Sequence, residues 1–321
     1  MKRFLYVLLI ILITLPAEEL FGLYSVTPAL ALLIGLAFAL TIGCPAPKFN
    51  KKTSKYLLQA SVVGLGFGMN LIESLKSGSE GMLFTIVSVV GVMVIGTWLG
   101  SKLSINSRTS WLISSGTAIC GGSAIAAVGP VVKANDHQMA VSLGVIFILN
   151  SLGLLIFPPL GHFFDMSQQQ FGTWAAIAIH DTSSVVGAGD AYGPEALKLA
   201  TLIKLTRALW IIPLAFFTMF WFRKEHKAEA GSGKNKVSIP WFIFLFVLAM
   251  TINTYLPLPE TLTKILVLIA KRGLVLTLFL IGCSLSIKTI KAVGIKPMVQ
   301  AVLLWIVIGV SSFFVVINTI E

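Results

Sequence analysis

The amino-acid sequence predicts an all-α polytopic membrane protein with about 9–11 transmembrane helices. Hydrophobic residues occupy 56% of the 321 positions and charged residues only 12%, against about 25% in an ordinary soluble domain. So few charged side chains cannot form the polar shell of a soluble protein, and the mean hydropathy of +0.91 agrees. Soluble globular enzymes, disordered chains, coiled coils and disulfide scaffolds are therefore excluded. The three cysteines are far apart and show no metal-binding spacing.

Apolar stretches long enough to cross a bilayer recur along the chain. They lie at residues 4–16, 26–43, 56–72, 82–100, 138–160, 195–222, 239–256, 273–287 and 297–317. Two further stretches, 111–133 and 170–189, are rich in Gly, Ser and Thr. If both cross fully the protein has eleven spans, and if both enter and return it has nine spans and two re-entrant hairpins. The sequence leaves this choice open.

The N-terminal apolar run follows Lys2 and Arg3 and resembles a signal peptide. It lacks the small-x-small cleavage pattern, because Pro16 leads into Glu18 and Glu19. We therefore expect an uncleaved first helix.

The net charge of +11 indicates topology and not nucleic-acid binding, because Lys and Arg collect in cytoplasmic loops of membrane proteins. Basic residues cluster in three loops, at 48–55, 223–238 and 288–296. Placing these loops inside predicts a multi-pass protein with a cytoplasmic N-terminus and a C-terminus on the opposite side of the membrane. The loop at 223–238 is interpreted as a flexible connection within one transmembrane domain, 1–321.

Two pairs of segments resemble each other within the chain. Residues 62–71 are similar to 278–287, and residues 122–129 are similar to 182–189. A unit with an odd number of crossings places its second copy upside down in the membrane, which is the inverted-repeat arrangement of secondary transporters. The sequence therefore favours inverted repeats, against chance similarity of small-residue strings.

The first candidate site lies in the Gly- and Ser-rich run at 114–124. Glycine weakens a helix by about 1 kcal/mol relative to alanine, so the run is expected to unwind where it is buried in protein or lines a cavity. N–H groups at a restarted helix would then bind an anion. The alternative is close helix packing through small residues. The candidate substrate ligands are Thr117, Cys120, Gly121, Gly122 and Ser123.

The second candidate site joins an imidazole and a carboxylate, His180 and Asp181, to Thr182 and Ser183. An ionisable residue within a membrane segment is costly and is a functional hypothesis by default. Asp181 is a candidate for binding a proton or sodium ion. The alternatives are that it orients His180, pairs with a lysine, or caps a helix.

The third candidate site is the pair Lys204 and Arg207, which share one helix face at positions i and i+3. We expect both to face a cavity, against the alternatives of snorkelling to the interface or pairing with Asp181. Two cations against one carboxylate favour an anionic substrate, since Arg offers paired hydrogen bonds to oxyanions.

Residues 116–127 read GTAICGGSAIAA and closely resemble the "G-T-x-I-C-G-x-S-A-I-x-A" signature of the YeiH-like sulfate exporter family of bacterial membrane proteins. The His180–Asp181–Thr182 run and the Lys204…Arg207 helix with Pro213 resemble two further segments of that family, in the same order. The resemblance covers the chain from about residue 26. It implies a multi-pass protein of the bacterial inner membrane, so that the C-terminus is expected to be periplasmic. It also implies kinship with cation:proton antiporters and anion symporters, whose inverted repeats and discontinuous helices form a core that moves against a scaffold. The core corresponds to about residues 111–222.

Together these observations predict a secondary active transporter of a small anion, with sulfate or another sulfur oxyanion as the candidate substrate. The anion would bind between the two Gly/Ser-rich segments beside Lys204 and Arg207, and His180 or Asp181 would couple a proton or sodium ion. No cofactor, metal or enzymatic activity is expected, and a homodimer is left open. The alternatives are a sodium or proton antiporter centred on Asp181, an intramembrane enzyme using Ser, His180 and Asp181, and a passive channel.

Overall fold

The computed structural model describes residues 2–15, 26–72, 82–222, 241–256, 258–284 and 294–320. Within these ranges the secondary structure is helical and contains no strand. The helices, in chain order, are α1 Lys2–Thr14, α2 Pro28–Thr41, α3 Pro47–Gly66, α4 Met82–Lys102, α5 Ser107–Ala118, α6 Gly122–Val128, α7 Asp136–Phe163, α8 Gln168–Ala178, α9 Thr182–Tyr192, α10 Pro194–Ala208, α11 Ile211–Trp221, α12 Phe242–Tyr255, α13 Glu260–Ser284 and α14 Ile295–Thr319. The basic loop predicted at 223–238 lies outside the described residues.

Five helical segments in the described part of the chain are long and apolar enough to cross a membrane. They are Thr85–Lys102, His137–Phe163, Pro194–Trp221, Glu260–Ser284 and Ile295–Thr319, and α2 and α12 are shorter apolar helices. The predicted all-α polytopic membrane fold is confirmed.

Two helices begin well before the apolar stretches from which they were predicted. The stretch at 56–72 belongs to α3, Pro47–Gly66, and the stretch at 273–287 belongs to α13, Glu260–Ser284. Lysine and arginine are good helix formers with apolar stems, so basic residues do not end a helix as a hydropathy scan suggests. As a result Lys271 and Arg272 lie in the middle of α13 and not in a loop.

The Gly/Ser-rich segment at 111–133 enters the membrane and returns. Its first helix, α5, starts beside the start of α7, where Gln138 Nε2 donates to Asn106 Oδ1 at 2.9 Å. The backbone turns at residues 119–121, and α6 runs back until Arg108 Nη1 donates to the carbonyl oxygen of Lys133 at 3.3 Å. Both ends therefore lie at one face of the protein, and we call α5–α6 the first hairpin.

The segment at 170–189 also enters and returns. Near the start of α8, Gln168 Oε1 accepts from Glu195 N at 2.9 Å, and the carbonyl of Met166 accepts from the Tyr192 hydroxyl at 2.6 Å. The beginning of α8 and the end of α9 are therefore neighbours, and we call α8–α9 the second hairpin. The protein thus has two re-entrant hairpins in place of two full crossings.

The two hairpins enter from opposite faces. The first begins where α7 begins and the second begins where α7 ends, and the 28 residues of α7 span ~42 Å. We call the face that contains residues 103–106 and 129–135 the first face, and the face that contains residues 164–167 and 193 the second face.

The helices pack as two groups. Helix α13 packs against α1, α2 and α3, and α3 packs against α12; this set is the flanking bundle. The hairpins pack with α4, α7, α10, α11 and α14, and this set is the hairpin bundle. It contains the predicted core segments at 111–222 together with α4 and α14. The bundles meet mainly where α9 lies against α2 and α13.

Equivalent glycines support the predicted inverted repeats. The first internal similarity aligns Gly66 of α3 with Gly282 of α13. Each of these two glycines packs directly on a backbone carbonyl, Gly66 on that of Phe246 in α12 and Gly282 on that of Leu32 in α2. Helices α3 and α13 are antiparallel, since Gly64 lies on Ala270 whereas Gly273 lies on Ser61. Equivalent helices that make equivalent contacts in opposite directions are the arrangement that inverted repeats require.

The hairpin topology predicts a specific labelling pattern. In a background in which Cys44, Cys120 and Cys283 are replaced by Ser, single cysteines at the exposed positions Ser107 and His137 are expected to react with a membrane-impermeant thiol reagent from one side only. Cysteines at the exposed positions Asp165 and Ala191 are expected to react from the opposite side only. Labelling of Ser107→Cys and His137→Cys from different sides would show that the first segment crosses fully.

Candidate functional site

The tips of the two hairpins meet in the interior of the hairpin bundle. Gly121, at the tip of the first hairpin, has φ +59°, a conformation that glycine adopts without steric cost. A β-carbon at Gly121 would lie 3.4 Å from both the His180 carbonyl oxygen and the Asp181 Cα of the second tip. The two breaks that the sequence predicts in separate segments are thus in direct contact.

Lys204 and Arg207 hold the two tips from α10. Lys204 Nζ donates to the carbonyl oxygens of Ala176 at 3.2 Å and Ile179 at 2.6 Å, at the end of α8. Arg207 Nη2 donates to the carbonyl oxygen of Ala118 at 2.6 Å, at the end of α5. Each cation therefore satisfies carbonyls at the negative end of a helix dipole, which is an electrostatically favourable position.

These two cations are fully buried and have no anionic partner among the described residues. Both side chains are 0% exposed, and no described carboxylate lies within 4.0 Å of either as an ion pair. Their hydrogen bonds go to carbonyl oxygens and, for Arg207 Nη1, to Ser88 Oγ at 3.0 Å. Burying a charge without a counter-charge costs several kcal/mol, so this region of the protein favours a negative charge nearby.

Asp181 is the N-cap of α9. Its carboxylate accepts a hydrogen bond from Ser183 N at 3.1 Å and another from the Ser183 hydroxyl. The capping role that the sequence left as an alternative is therefore present, and the side chain is partly exposed. A role in coupling a proton or sodium ion stays a prediction.

Asn150, in the middle of α7, is a site residue that sequence reasoning missed. Its Oδ1 accepts hydrogen bonds from two consecutive backbone N–H groups of the second tip, His180 at 3.1 Å and Asp181 at 3.0 Å. The side chain is 3% exposed. The available signal was a lone amide inside a long apolar helix, which a scan for charged or Gly-rich segments passes over.

Asn150 and Arg207 brace the hairpins reciprocally. Asn150 belongs to the spanning helix that follows the first hairpin, and it holds the tip of the second. Arg207 belongs to the spanning helix that follows the second hairpin, and it holds the end of α5 in the first. Neither tip can therefore move without disturbing the helix that follows the other hairpin.

Several buried polar atoms at the tips have no hydrogen-bond partner among the described residues. They are Thr117 Oγ1, Asn150 Nδ2, Arg207 Nε and both ring nitrogens of His180. Buried polar groups are normally hydrogen-bonded, and leaving one unsatisfied costs about 1–3 kcal/mol. The concentration of such atoms at the tip junction indicates a place where a ligand or water supplies partners.

The remaining predicted substrate ligands differ in how deeply they are buried near this junction. Cys120, Gly121, Thr182 and Ser183 are buried at or next to the tips, with Ser183 engaged by Asp181. Gly122 is half-buried. Ser123 is exposed at the start of α6, and its side chain contacts the Cys120 thiol at the first tip.

A cavity of about 1080 Å³ separates the two bundles on the side of the second face. Gln169 and Glu195 line it near that face, and Ile177 and Ile203 line it next to the second tip and Lys204. Lys198 and Lys271 also contribute to its wall. The cavity thus extends from one face of the protein to the immediate neighbours of the tip junction.

An ion pair joins the two bundles beside this cavity. Asp190 at the end of α9 pairs with Lys271 of α13, with 2.8 Å between Oδ1 and Nζ. The side chains are 24% and 35% exposed, respectively, so the pair is partly shielded from solvent. It is a polar contact between elements that otherwise meet through apolar residues.

Comparison with known proteins places the chain among bacterial membrane proteins. The sequence profile of the family described as "Conserved hypothetical protein 698" matches residues 4–301. A "UPF0324 membrane protein" of Bacteroides thetaiotaomicron is 61% identical over 290 residues, covering 89% of this chain and 85% of the relative. One from Porphyromonas gingivalis is 54% identical, with 89% and 86% covered, and one from Bdellovibrio bacteriovorus is 45% identical, with 88% and 87% covered. No solved structure matches the chain.

The cap on α9 separates the two roles considered for Asp181. We expect Asp181→Ala to lower the free energy of unfolding by about 1 kcal/mol, because α9 loses its N-cap. Asp181→Asn keeps a capping oxygen and removes the charge, so its stability is expected to stay close to that of the wild type. Thermal unfolding of the purified variants in detergent measures both. Equal stability of Asp181→Ala and the wild type would contradict the capping role.

Proposed function

The chain belongs to the UPF0324 membrane proteins, the YeiH-like family that its motifs predict, and we propose that it is a secondary active transporter of a small anion. Sulfate and other sulfur oxyanions are the first candidate substrates. The observation that carries the proposal is the pair of buried cations without a carboxylate partner at the junction of two re-entrant tips.

The charge at the junction supports an anion over a cation. Lys204 and Arg207 place two positive charges beside tips whose one carboxylate, Asp181, is already used as a helix cap. A cation site would need oxygen ligands directed at the ion, yet the carbonyls of Ala176, Ile179 and Ala118 are occupied by the cations themselves. The proposed anion is therefore held by the positive field and by the donors that lack a protein partner.

Interrupted helices at membrane depth support transport as the activity. Irregular backbone within a bilayer is tolerated where it is buried in protein or lines a cavity, and discontinuous helices form the midplane sites of many secondary transporters. In our proposal the anion-binding site is formed by the two tips, and its ligands include Thr117, Cys120, Gly121 and Thr182. His180 or Asp181 couples a proton or sodium ion.

The two-bundle architecture supports alternating access. We propose that the hairpin bundle, including the core at 111–222, moves against the flanking bundle, and that the cavity beside Lys198 and Lys271 is the route from the second face. In this mechanism the Asp190–Lys271 ion pair stabilises one of the two arrangements.

Reconstituted transport tests the proposal. Proteoliposomes with the full-length protein are expected to take up labelled sulfate, sulfite or thiosulfate, and Arg207→Ala is expected to lower uptake about 10-fold or more, because a charged hydrogen-bond donor is lost. Lys264→Ala is the matched control, since Lys264 is 73% exposed and pairs with Glu260 on its own helix. Unchanged uptake in Arg207→Ala removes that residue from the site. Sodium or proton flux that is lost in Asp181→Asn, with no anion flux, would favour the antiporter instead.

Cross-linking tests whether the bundles move. Cysteines at Asp190 and Lys271, joined through disulfides by a bis-methanethiosulfonate reagent, are expected to block transport, because the cross-link ties α9 to α13. Reduction of the cross-link should restore transport. Cross-linked Glu260→Cys/Lys264→Cys, one turn apart within α13, is the control and is expected to transport normally. Full transport by the Asp190–Lys271 cross-linked protein would exclude movement at this interface.

A further inference from the structure

We propose that the side-chain amide nitrogen of Asn150 donates a hydrogen bond to the transported anion, so that the anion presents an oxygen without a proton at that point. This inference rests on the proposed anion-binding function. It adds to the site a residue that neither the motifs nor the charged positions indicate.

The two ends of the Asn150 amide have different environments. The oxygen accepts both N–H groups of the second tip, from His180 at 3.1 Å and Asp181 at 3.0 Å. The nitrogen, with two N–H donors, has no hydrogen-bond partner in the part of the chain that the structure describes, although the side chain is only 3% exposed. One half of the group thus positions the tip, and the other half is available to a ligand at the same junction.

An aspartate at position 150 would hold the backbone of the second tip equally well. A carboxylate accepts two backbone N–H groups, with stronger, charge-assisted hydrogen bonds. It would also compensate the buried charges of Lys204 and Arg207, which no described carboxylate pairs with. An asparagine instead retains two buried donors that the protein leaves unsatisfied, an arrangement that is favourable when a ligand accepts from them.

A second donor without a protein partner lies on the other brace of the same junction. Arg207 holds the end of α5 through Nη2, and its Nε is buried and unpartnered. The end of α5 leads within three residues to Gly121, which contacts the backbone of His180 and Asp181. The reciprocal braces, Asn150 and Arg207, therefore each combine a bond to a tip with a spare donor.

A donor at this point discriminates between oxyanions by their protonation. Sulfate carries only acceptor oxygens at neutral pH, whereas hydrogen phosphate carries one O–H that needs an acceptor. An amide nitrogen at the binding position suits sulfate, and a carboxylate at the same position would repel it and accept the O–H of hydrogen phosphate.

Binding of sulfate and hydrogen phosphate to the full-length protein, measured by calorimetry in detergent at one pH, tests the inference. Wild-type protein is expected to prefer sulfate. Asn150→Asp is expected to weaken sulfate binding about 10-fold or more and to shift the preference towards hydrogen phosphate. Asn253→Asp is the matched control, because the Asn253 amide donates to the Met69 carbonyl in the flanking bundle and is expected to leave the ratio unchanged.

The outcomes separate this inference from the function on which it rests. An unchanged ratio of affinities in folded Asn150→Asp overturns the inference and leaves the anion site in place. Wild-type protein that binds neither anion overturns both. Asn150→Leu provides a second test, because it removes both N–H donors at similar volume and introduces no charge; sulfate binding equal to that of the wild type would also overturn the inference.

Discussion

The rest of the architecture depends on one constraint: a polypeptide that turns back inside a membrane must satisfy its backbone N–H and C=O groups there. The second tip obtains its partners from three helices. Asn150 of α7 accepts two N–H groups, Lys204 of α10 donates to two carbonyls, and Trp305 Nε1 of α14 donates to the Ala178 carbonyl at 3.1 Å. These bonds fix which helices surround the hairpin, since each partner has to reach the middle of the bundle.

Close helix approaches make this arrangement possible. Gly96 and Gly100 of α4 lie against Ser114 and Ser110 of α5, where a β-carbon would collide with either serine. Gln300 of α14 donates to the Gly96 carbonyl oxygen at 2.8 Å and to Ser110 Oγ at 2.7 Å, so a polar cluster joins α4, α5 and α14. Small residues permit short distances between membrane helices, and the polar groups that they expose are then hydrogen-bonded across the interface. The first hairpin is thereby held along its length as well as at its tip.

The same bonds that fold the protein shape its proposed chemistry. Lys204 and Arg207 were predicted from the sequence as substrate ligands, and the structure places both at the tips, where together they donate three hydrogen bonds to carbonyl oxygens. Their charge acts on the junction whether or not they contact a substrate, because the field of a buried charge is weakly screened. The same two residues, Lys204 and Arg207, therefore determine both the geometry of the tips and the proposed preference for an anion. A substitution that alters one is expected to alter the other.

Much of the fold and the location of the site could be predicted from the sequence. The break at residues 119–121 lies within the Gly/Ser-rich run at 114–124 and follows from local composition, because such a run cannot form a stable lipid-facing helix. The break at residues 179–181 lies just before the second Gly/Ser-rich run, which is itself helical as α9. The internal similarity that aligns Gly66 with Gly282 predicted inverted repeats, and in the structure the two glycines make equivalent contacts with backbone carbonyls. Asn150 could not be found in this way, since its importance comes from a partner 30 residues away in the chain.

By itself, the sequence determined that the chain is a helical membrane protein and which two segments contain interrupted helices, since hydropathy and glycine content act locally. Only the tertiary structure decided that both interrupted segments return to the face from which they enter. That decision depends on contacts such as Gln138 with Asn106 and Gln168 with Glu195, which join residues distant in sequence at a common face. The three basic loops could not decide it, because two hairpins and two crossings leave these loops on the same side of the membrane.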